Sequence, residues 1–407
     1  MRIAFIGDLQ YATAEEERLD LKMAQIREQS PDLAIVMGDI GGSHMKSVGG
    51  FQETKKYVDM IGCPYEVILG NHDVEYAPFD PVIFDYETVY HDVFPGKELF
   101  SVKERDGVLM ICVSCERRPP EDFRTHNAVF VSDRRFEAVR SALKAHPGVP
   151  ALLVTHAPLA GSGLRRWMPL HAGATDMYLD MTFKAGRWRE LAAEFPQIKM
   201  SVSAHLHLSH EYKSAITYRG GLMHLSCGVM TVCARDDIFQ TRFADVDADG
   251  AVIYTLDHTT GEFRRDAEFP FDGEPSGNLS SPADGKMQLG DDLPTSVWKY
   301  GGRYYAATEK GLLWEYLPEL CEFGGAIMLK GGADEICASE GRLFVRNFAG
   351  EVFSFDPEST GRYERIGGCA PPERRGEKAM RGDPLPRADF GIETEKEGNY
   401  VIFKTDQ

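Results

Sequence analysis

Residue types that bind metal ions recur directly after short apolar runs in this sequence. Carboxylate, amide and imidazole groups are common protein ligands of divalent metals. Five such runs and the polar residues behind them are Ile3 to Ile6 with Asp8 and Gln10, Leu33 to Val36 with Asp39, Val67 to Leu69 with Asn71, His72 and Asp73, Leu152 to Val154 with His156, and Ser201 to Ser203 with His205 and His207. We therefore predict one metal site built from several strand ends.

This set of residue types is typical of a centre that holds two metal ions. Two ions about 3.5–4 Å apart can share a carboxylate, lower the pKa of a bridging water and clamp phosphoryl oxygens during an in-line displacement. Such a centre also needs an acid for the leaving group. The sequence supplies all of these groups, and we predict a two-metal phosphohydrolase.

The elements that must position these residues alternate between strand and helix over about the first 260 residues. Residues 15–29 carry Leu19, Met23 and Ile26 at helical spacing, and residues 133–144 carry a second helical pattern. The apolar runs between the helices are typical of buried strands. Ligands of layered α/β sheets gather at the carboxyl ends of the strands, where every motif above lies.

Composition narrows the class of protein. The chain has 407 residues, of which 43% are hydrophobic, and its net charge of −18 argues against a nucleic-acid polymer as partner. No apolar run reaches the ~20 residues of a membrane span, and no signal peptide precedes the first strand. We expect no membrane association and a cytoplasmic location, with the eight cysteines reduced and mostly buried. The oligomeric state stays open.

The last third of the chain differs from the rest in composition and in its sequence repeats. We assign a catalytic domain to residues 1–265, a Pro-, Gly- and Ser-rich linker to 266–294 and a small β-rich domain to 295–407. Within 295–407, Gly302-Arg303-Tyr304 matches Gly341-Arg342-Leu343 at an offset of 39 residues. These repeats resemble propeller blades, but two copies fall short of the ~4 that close a propeller. The rest of the tail is expected to be irregular.

The order of motifs resembles that of the calcineurin-like metallophosphoesterase superfamily. The matching strings are Asp-x-Gln, Gly-Asp, Gly-Asn-His-Asp, His-Ala-Pro and His-x-His, and they cover about residues 1–260. The resemblance implies a four-layered αββα sandwich with a binuclear metal centre. Ala204 replaces the usual glycine of the last motif, and Gln10 replaces the usual histidine of the first.

The resemblance also implies residue roles. Asp39 would bridge the two ions. Asp8, Gln10 and His207 would complete one site. Asn71, His156 and His205 would complete the other. His72 would protonate the leaving group or stabilise the transition state, and Asp73 would orient His72.

Gln10 influences the expected metal and substrate. An amide oxygen in place of imidazole favours hard ions, so we expect manganese first, with Fe, Zn or Mg as alternatives. The string Asp8-Leu9-Gln10-Tyr11 is similar to the first motif of the Mn²⁺-dependent ADP-ribose/CDP-alcohol diphosphatase branch. A related Asp-x-Gln branch includes protein phosphatases.

We predict hydrolysis of a small phosphodiester or nucleotide-type diphosphate by a metal-bridging hydroxide. Tyr11, Arg165 and Arg166 are candidate substrate contacts, and residues 160–180 are a candidate cap. One alternative is a phosphoprotein or small phosphomonoester phosphatase. The non-enzymatic alternative is a partner-binding module with a vestigial metal site.

Three further patterns predict no site. Asp245 to Gly250 imitates a calcium loop, but Leu256 occupies the position that requires a bidentate glutamate, so we predict a hairpin turn. Cys112 and Cys115 are too few for zinc. His210 and His224 are expected to support or pack beside the site.

Overall fold

The structure is a computed structural model that divides the chain into two compact units. The first unit contains residues 1–118, 129–158 and 190–281, and the second contains 119–128, 159–189 and 282–407. The residues that the structure describes are 1–11, 13–14, 17–41, 47–75, 84–118, 129–162, 178–180, 186–211, 215–234, 237–279, 286–288, 294–300, 303–308, 311–317, 322–329, 331–339, 341–356, 363–368, 392–397 and 400–405.

Strands and helices alternate over the first half of the chain, and the elements described after α6 are all strands. In chain order, the elements up to residue 281 are β1 (Arg2–Ile6), α1 (Leu19–Glu28), β2 (Leu33–Val36), α2 (Val48–Asp59), β3 (Tyr65–Val67), α3 (Asn71–Val74), α4 (Tyr86–Val93), β4 (Phe100–Arg105), β5 (Val108–Val113), α5 (Asp133–Ala145), β6 (Ala151–Thr155), α6 (Gly186–Glu194), β7 (Ile198–Ser203), β8 (Ile216–Arg219), β9 (Leu222–Ser226), β10 (Gln240–Val246), β11 (Gly250–Asp257), β12 (Phe263–Pro270) and β13 (Ser276–Gly277).

Two sheets make up the first unit. Within the described ranges, one has the strand order β13-β12-β11-β10-β1-β2-β3 and the other has the order β4-β5-β6-β7-β9-β8. Strands β1, β2 and β3 are parallel, as are β5, β6, β7 and β9. The carboxyl ends of the motif-bearing strands therefore lie together at one edge of each sheet.

The apolar strands are continuous because both faces of each sheet are covered. Ile3 and Phe5 of β1 join Leu152 and Val154 of β6 in one core cluster shared by the two sheets. The alternate residues of β1, such as Ala4, are equally buried but lie outside that cluster, on the opposite face. This arrangement confirms the predicted α/β sandwich.

The predicted helices are present with adjusted bounds. α1 begins at Leu19 rather than at residue 15, and it buries Leu19, Met23 and Ile26 as expected. α5 begins after Ser132, whose side chain accepts a hydrogen bond from the backbone N–H of Arg135. The predicted turn at Asp247 joins β10 to β11, with Asp247 Oδ1 accepting the N–H groups of Asp249 and Gly250.

The first sheet extends beyond the boundary expected from composition. β12 crosses residue 265 and pairs with β11, and β13 pairs with β12 in turn. Residues 266–277 therefore belong to the sheet rather than to the predicted linker. Composition misplaced the boundary because β12 is partly exposed, so its charged residues resemble those of a linker.

The second unit contains short antiparallel sheets. Its strands are β14 (Lys286–Gln288), β15 (Pro294–Tyr300), β16 (Arg303–Thr308), β17 (Leu312–Leu317), β18 (Glu322–Met328), β19 (Glu335–Ser339), β20 (Arg342–Arg346), β21 (Glu351–Phe355), β22 (Tyr363–Gly368), β23 (Ile392–Glu397) and β24 (Tyr400–Thr405). Strands β15 to β18 form one four-stranded sheet and β19 to β22 form another, with β16 and β20 carrying the repeat at the 39-residue offset.

Part of the expected irregular tail is ordered as strands. β23 and β24 form a hairpin, and β24 also pairs with β14 at the start of the second unit. The sequence contains Gly398-Asn399 between them, a turn signal that the low apolar content of β23 obscured. Residues 371–375 lie outside the described residues.

No described helix has the length and apolar character that crossing a membrane requires.

Burial lowers the pKa of several histidines of the first unit, among them His210, His224 and His258. His258 contacts Thr241 Oγ1 through Nε2 and Gln25 Oε1 through Nδ1, each at 2.8 Å. Burial lowers the pKa of His258 to about 3.

We predict that His258 makes the first unit sensitive to acid. The pKa of His258 is about 3 in the folded chain and ~6.5 in the unfolded chain. As the pH falls below ~6.5, His258 therefore binds a proton in the unfolded state but not in the folded state, which destabilises the folded state. The pH-dependent part of this cost is ~2 kcal/mol at pH 5. Urea unfolding of metal-free wild type and His258→Gln at pH 7 and pH 5 measures it. An equal pH dependence in the two proteins would contradict the prediction.

Candidate metal centre

The predicted ligands converge at the carboxyl ends of the parallel strands. In each of two groups of residues, the donor atoms lie within 4.8 Å of one another, and both groups include Asp39. The first group is Asp39, His156 and His205, and the second is Asp8, Asp39 and His207. Asp39 is therefore common to both groups, as a bridging carboxylate must be.

The Nε2 atom of His156 shows how tightly the donors converge. It lies 3.1 Å from Asn71 Oδ1, 3.2 Å from His205 Nδ1 and 3.3 Å from Asp39 Oδ2. Two imidazole nitrogens, an amide oxygen and a carboxylate oxygen thus face one point. In the second group, His207 Nε2 lies 3.2 Å from Asp8 Oδ1.

Backbone carbonyls orient two of the imidazoles. His156 Nδ1 lies 2.7 Å from Met37 O, and His207 Nδ1 lies 3.2 Å from Cys233 O. A carbonyl can only accept, so each Nδ1 carries the proton, and Nε2 is the atom through which either ring would bind a metal. This arrangement is usual around metal-binding histidines.

The charges and donor atoms of the site suit a bound cation. Asp8 and Asp39 are fully buried, and in the part of the chain that the structure describes their ion pairs are with histidines. Burial would lower the pKa of His156, but the Asp39 carboxylate outweighs it and raises that pKa to about 9. Burial would also raise the pKa of Asp8 and Asp39, and the neighbouring imidazoles lower both. A donor set this rich in carboxylate, imidazole and amide groups fits divalent metal ions.

The backbone carries strain at the ligands. Asp39, His205 and His207 have positive φ angles of 51°, 70° and 55°. Residues other than glycine seldom adopt this left-handed region, and such strain clusters at functional sites. Gly70 permits the close approach, since a Cβ there would lie 2.1 Å from Asp39 Oδ1.

Gln10 reaches the shared carboxylate. Its Nε2 donates to Asp39 Oδ2 at 2.7 Å, and its backbone carbonyl accepts from Thr231 Oγ1. The structure places the Gln10 amide beside Asp39, with its nitrogen facing the carboxylate, and the ligand role of Gln10 stays a prediction. Ala204 is fully buried, and its N–H donates to His156 O at 2.8 Å.

Asp73 does not orient His72, contrary to the sequence-based expectation. Its carboxylate accepts the backbone N–H groups of Asp39, Ile40 and Gly70 at 2.8, 2.9 and 2.7 Å. Asp73 thus ties the loop of Asp39 to the loop of Asn71. The spacing in Gly-Asn-His-Asp could not distinguish a backbone contact from a side-chain contact.

Glu75 occupies the place that we expected for Asp73. Its Oε2 lies 3.0 Å from His72 Nδ1, and the backbone N–H of His72 donates to Asp39 Oδ1 at 2.9 Å. Burial would lower the pKa of His72, but Asp39 and Glu75 raise it to about 9. The signal in the sequence was a glutamate three residues after the histidine, one helical turn away.

The predicted substrate contacts are less well supported. Tyr11 is 3% exposed, and its hydroxyl lies beside Glu53 and Thr54 of α2, so it packs in the interior rather than facing a ligand. Arg165 and Arg166 lie outside the described residues, as does most of the candidate cap. His210 is buried, and its Nε2 accepts the N–H of Gly228 at 2.6 Å.

Comparisons with known proteins agree with the motifs. A family model described as calcineurin-like phosphoesterase matches residues 1–209, which is half of the 407-residue chain. No curated protein sequence is significantly similar to the chain.

Some solved structures resemble this chain although their sequence identity to it is low. A dimetal phosphatase from Danio rerio is 12% identical, with 69% of this chain and 99% of that one covered and a TM-score of 0.47. Vps29 from Entamoeba histolytica complexed with Zn²⁺ is 11% identical, with 67% and 99% covered and a TM-score of 0.31. The family match identifies the chain as a member of the calcineurin-like phosphoesterases, which are metal-dependent hydrolases of phosphoric esters.

Proposed function

We propose that this chain is a binuclear metal-dependent hydrolase of a small phosphodiester or nucleotide-type diphosphate. The observation that carries the proposal is the position of Asp39 in both groups of donor atoms. Asp39 would contribute to both metal sites, and two ions sharing a carboxylate supply the charge that an in-line displacement at phosphorus needs.

The proposed ligands divide around Asp39. Asp8, Gln10 and His207 would hold one ion with it, and Asn71, His156 and His205 would hold the other. When bound, the two ions supply positive charge to the phosphoryl oxygens and make a water nucleophilic at neutral pH. The burial of Asp8 and Asp39 supports the assignment, because a buried carboxylate is costly without a cation.

Gln10 favours manganese as the metal of the first site. Rotating its amide by 180° would turn Oε1 toward the position where Nε2 now contacts Asp39. With that oxygen, Asp8 and Asp39, the site would be mostly oxygen-ligated, which favours Mn²⁺ or Mg²⁺ over Zn²⁺.

His72 is the proposed acid for the leaving group. The backbone N–H of His72 donates a hydrogen bond to Asp39 Oδ1, which places the residue beside the donor atoms. The His72 side chain is 29% exposed, so its ring reaches solvent there. The other proposed role of the ring is to stabilise charge in the transition state.

The substrate class is supported by the first motif and by charge. Asp8-Leu9-Gln10-Tyr11 resembles the motif of the nucleotide-type diphosphatase branch, and the net charge of −18 disfavours a polyanionic polymer. A cytoplasmic, small phosphorylated metabolite is therefore the proposed substrate.

We predict that purified protein binds Mn²⁺ and hydrolyses bis-p-nitrophenyl phosphate and nucleotide diphosphates faster than p-nitrophenyl phosphate or a phosphopeptide. Asp39→Asn should lose metal from both sites and with it the activity, because the amide cannot bridge as a charged ligand. Elemental analysis and a substrate panel measure both properties. Faster turnover of the monoester or the phosphopeptide would favour the alternative function, a phosphomonoester or phosphoprotein phosphatase. Protein that neither binds metal nor turns over any substrate would refute the proposal.

Gln10→His should raise the affinity of the first site for Zn²⁺ or Fe relative to Mn²⁺, because imidazole is a softer ligand than an amide oxygen. Competitive metal titration of the variant and wild type measures this preference. Thr13→His, a nearby substitution outside the ligand set, serves as the control. An unchanged metal preference in Gln10→His would show that Gln10 is not a ligand.

His72→Ala should keep both metal ions and lose turnover by ~10²–10⁴-fold, the usual contribution of a positioned acid or base. Metal content and kcat are measured on the same preparation. Activity equal to that of wild type would remove His72 from the mechanism.

A further inference from the structure

Glu75 forms a close pair with His72 just outside the donor atoms. The Glu75 carboxylate lies 3.0 Å from His72 Nδ1, and the Glu75 side chain is 11% exposed. His72 lies in α3 and Glu75 directly follows that helix, so the two side chains are one helical turn apart. The contact leaves Nε2 as the ring atom that is free to meet a substrate.

The backbone on both sides of this pair is anchored. The N–H of His72 donates to Asp39 Oδ1 at 2.9 Å. Arg117 Nε donates to the carbonyl of Val74 at 3.0 Å, and the guanidinium lies 5.0 Å from the centroid of the Tyr86 ring. Arg117 also donates to Phe84 O. Both partners of the pair therefore project from fixed positions.

The conformation of Glu75 accounts for the contact. Its φ of −59° and ψ of 148° end α3, so the chain leaves the helix at this residue. A fixed carboxylate beside an imidazole selects the ring orientation and the tautomer, as carboxylates do in many acid–base pairs.

We propose that Glu75 is a positioning residue for His72. It holds the doubly protonated ring so that Nδ1–H donates to the Glu75 carboxylate and Nε2–H is directed at the leaving-group oxygen. As the bond between phosphorus and that oxygen breaks, the Nε2 proton moves to the oxygen, and His72 remains as the neutral Nδ1–H form. This inference rests on the proposed function.

The test compares leaving groups that need an acid to different degrees. p-Nitrophenyl and phenyl esters of thymidine 5′-phosphate differ in leaving-group basicity, and the more basic phenolate depends more on protonation. Glu75→Ala should lower kcat about tenfold for the phenyl ester and much less for the p-nitrophenyl ester. Glu75→Gln keeps an acceptor oxygen and should recover most of the loss. Metal content should match wild type in both variants.

Two comparisons separate positioning from a general structural effect. In a His72→Ala background, Glu75→Ala should cause no further loss, since the ring that it positions is gone. Glu87→Gln changes an acidic residue of α4 outside the site and should behave as wild type. Equal losses for the two esters, or a full further loss in the His72→Ala background, would overturn the proposal.

A spectroscopic measurement keeps the inference independent of turnover. In ¹⁵N-histidine-labelled protein, the Nδ1–H of His72 should be hydrogen-bonded and slow to exchange with water in wild type and in Glu75→Gln, and should exchange faster in Glu75→Ala. An unchanged His72 signal in Glu75→Ala would overturn the proposal. Wild-type protein that binds metals but cleaves no ester would instead contradict the proposed function, with the Glu75 contact still tested by the spectra.

Discussion

The structure of the site depends on one electrostatic constraint, which is the burial of the Asp8 and Asp39 carboxylates beside each other. A buried charge is costly unless a partner compensates it. Here the compensation comes from imidazoles and backbone N–H groups, including the N–H of His205 on Asp8 at 2.9 Å. Each of these partners must be held in place, so the constraint extends from the two carboxylates into the loops around them.

The loops meet the constraint at the cost of backbone strain. Three ligand residues adopt positive φ angles, and the glycines before Asp39 and Asn71 leave room where a Cβ would collide with neighbouring atoms. Such conformations persist when the surrounding structure imposes them. Asp73 imposes part of this geometry, because its three backbone hydrogen bonds join the loops after β2 and β3.

The motif Gly70-Asn71-His72-Asp73 therefore performs separate tasks at adjacent positions. Gly70 allows close packing, Asn71 directs an amide oxygen at the His156 ring, and His72 reaches solvent with its ring against Glu75. Asp73 faces the opposite way, into the backbone of the Asp39 loop. A four-residue helix makes this possible, because successive side chains on a helix point in different directions.

The sequence by itself determined the layered α/β sandwich, the family and the residues that converge on the metal centre. It could do so because buried parallel strands are continuous apolar runs, and because their carboxyl ends meet at one edge. It also indicated the repeat in the second unit. The tertiary structure alone decided that Asp73 binds backbone, that Glu75 faces His72, that Tyr11 is buried and that residues 266–277 join the first sheet. Residue type and spacing specify which groups are near one another along the chain, but side-chain direction and strand pairing depend on contacts between distant segments.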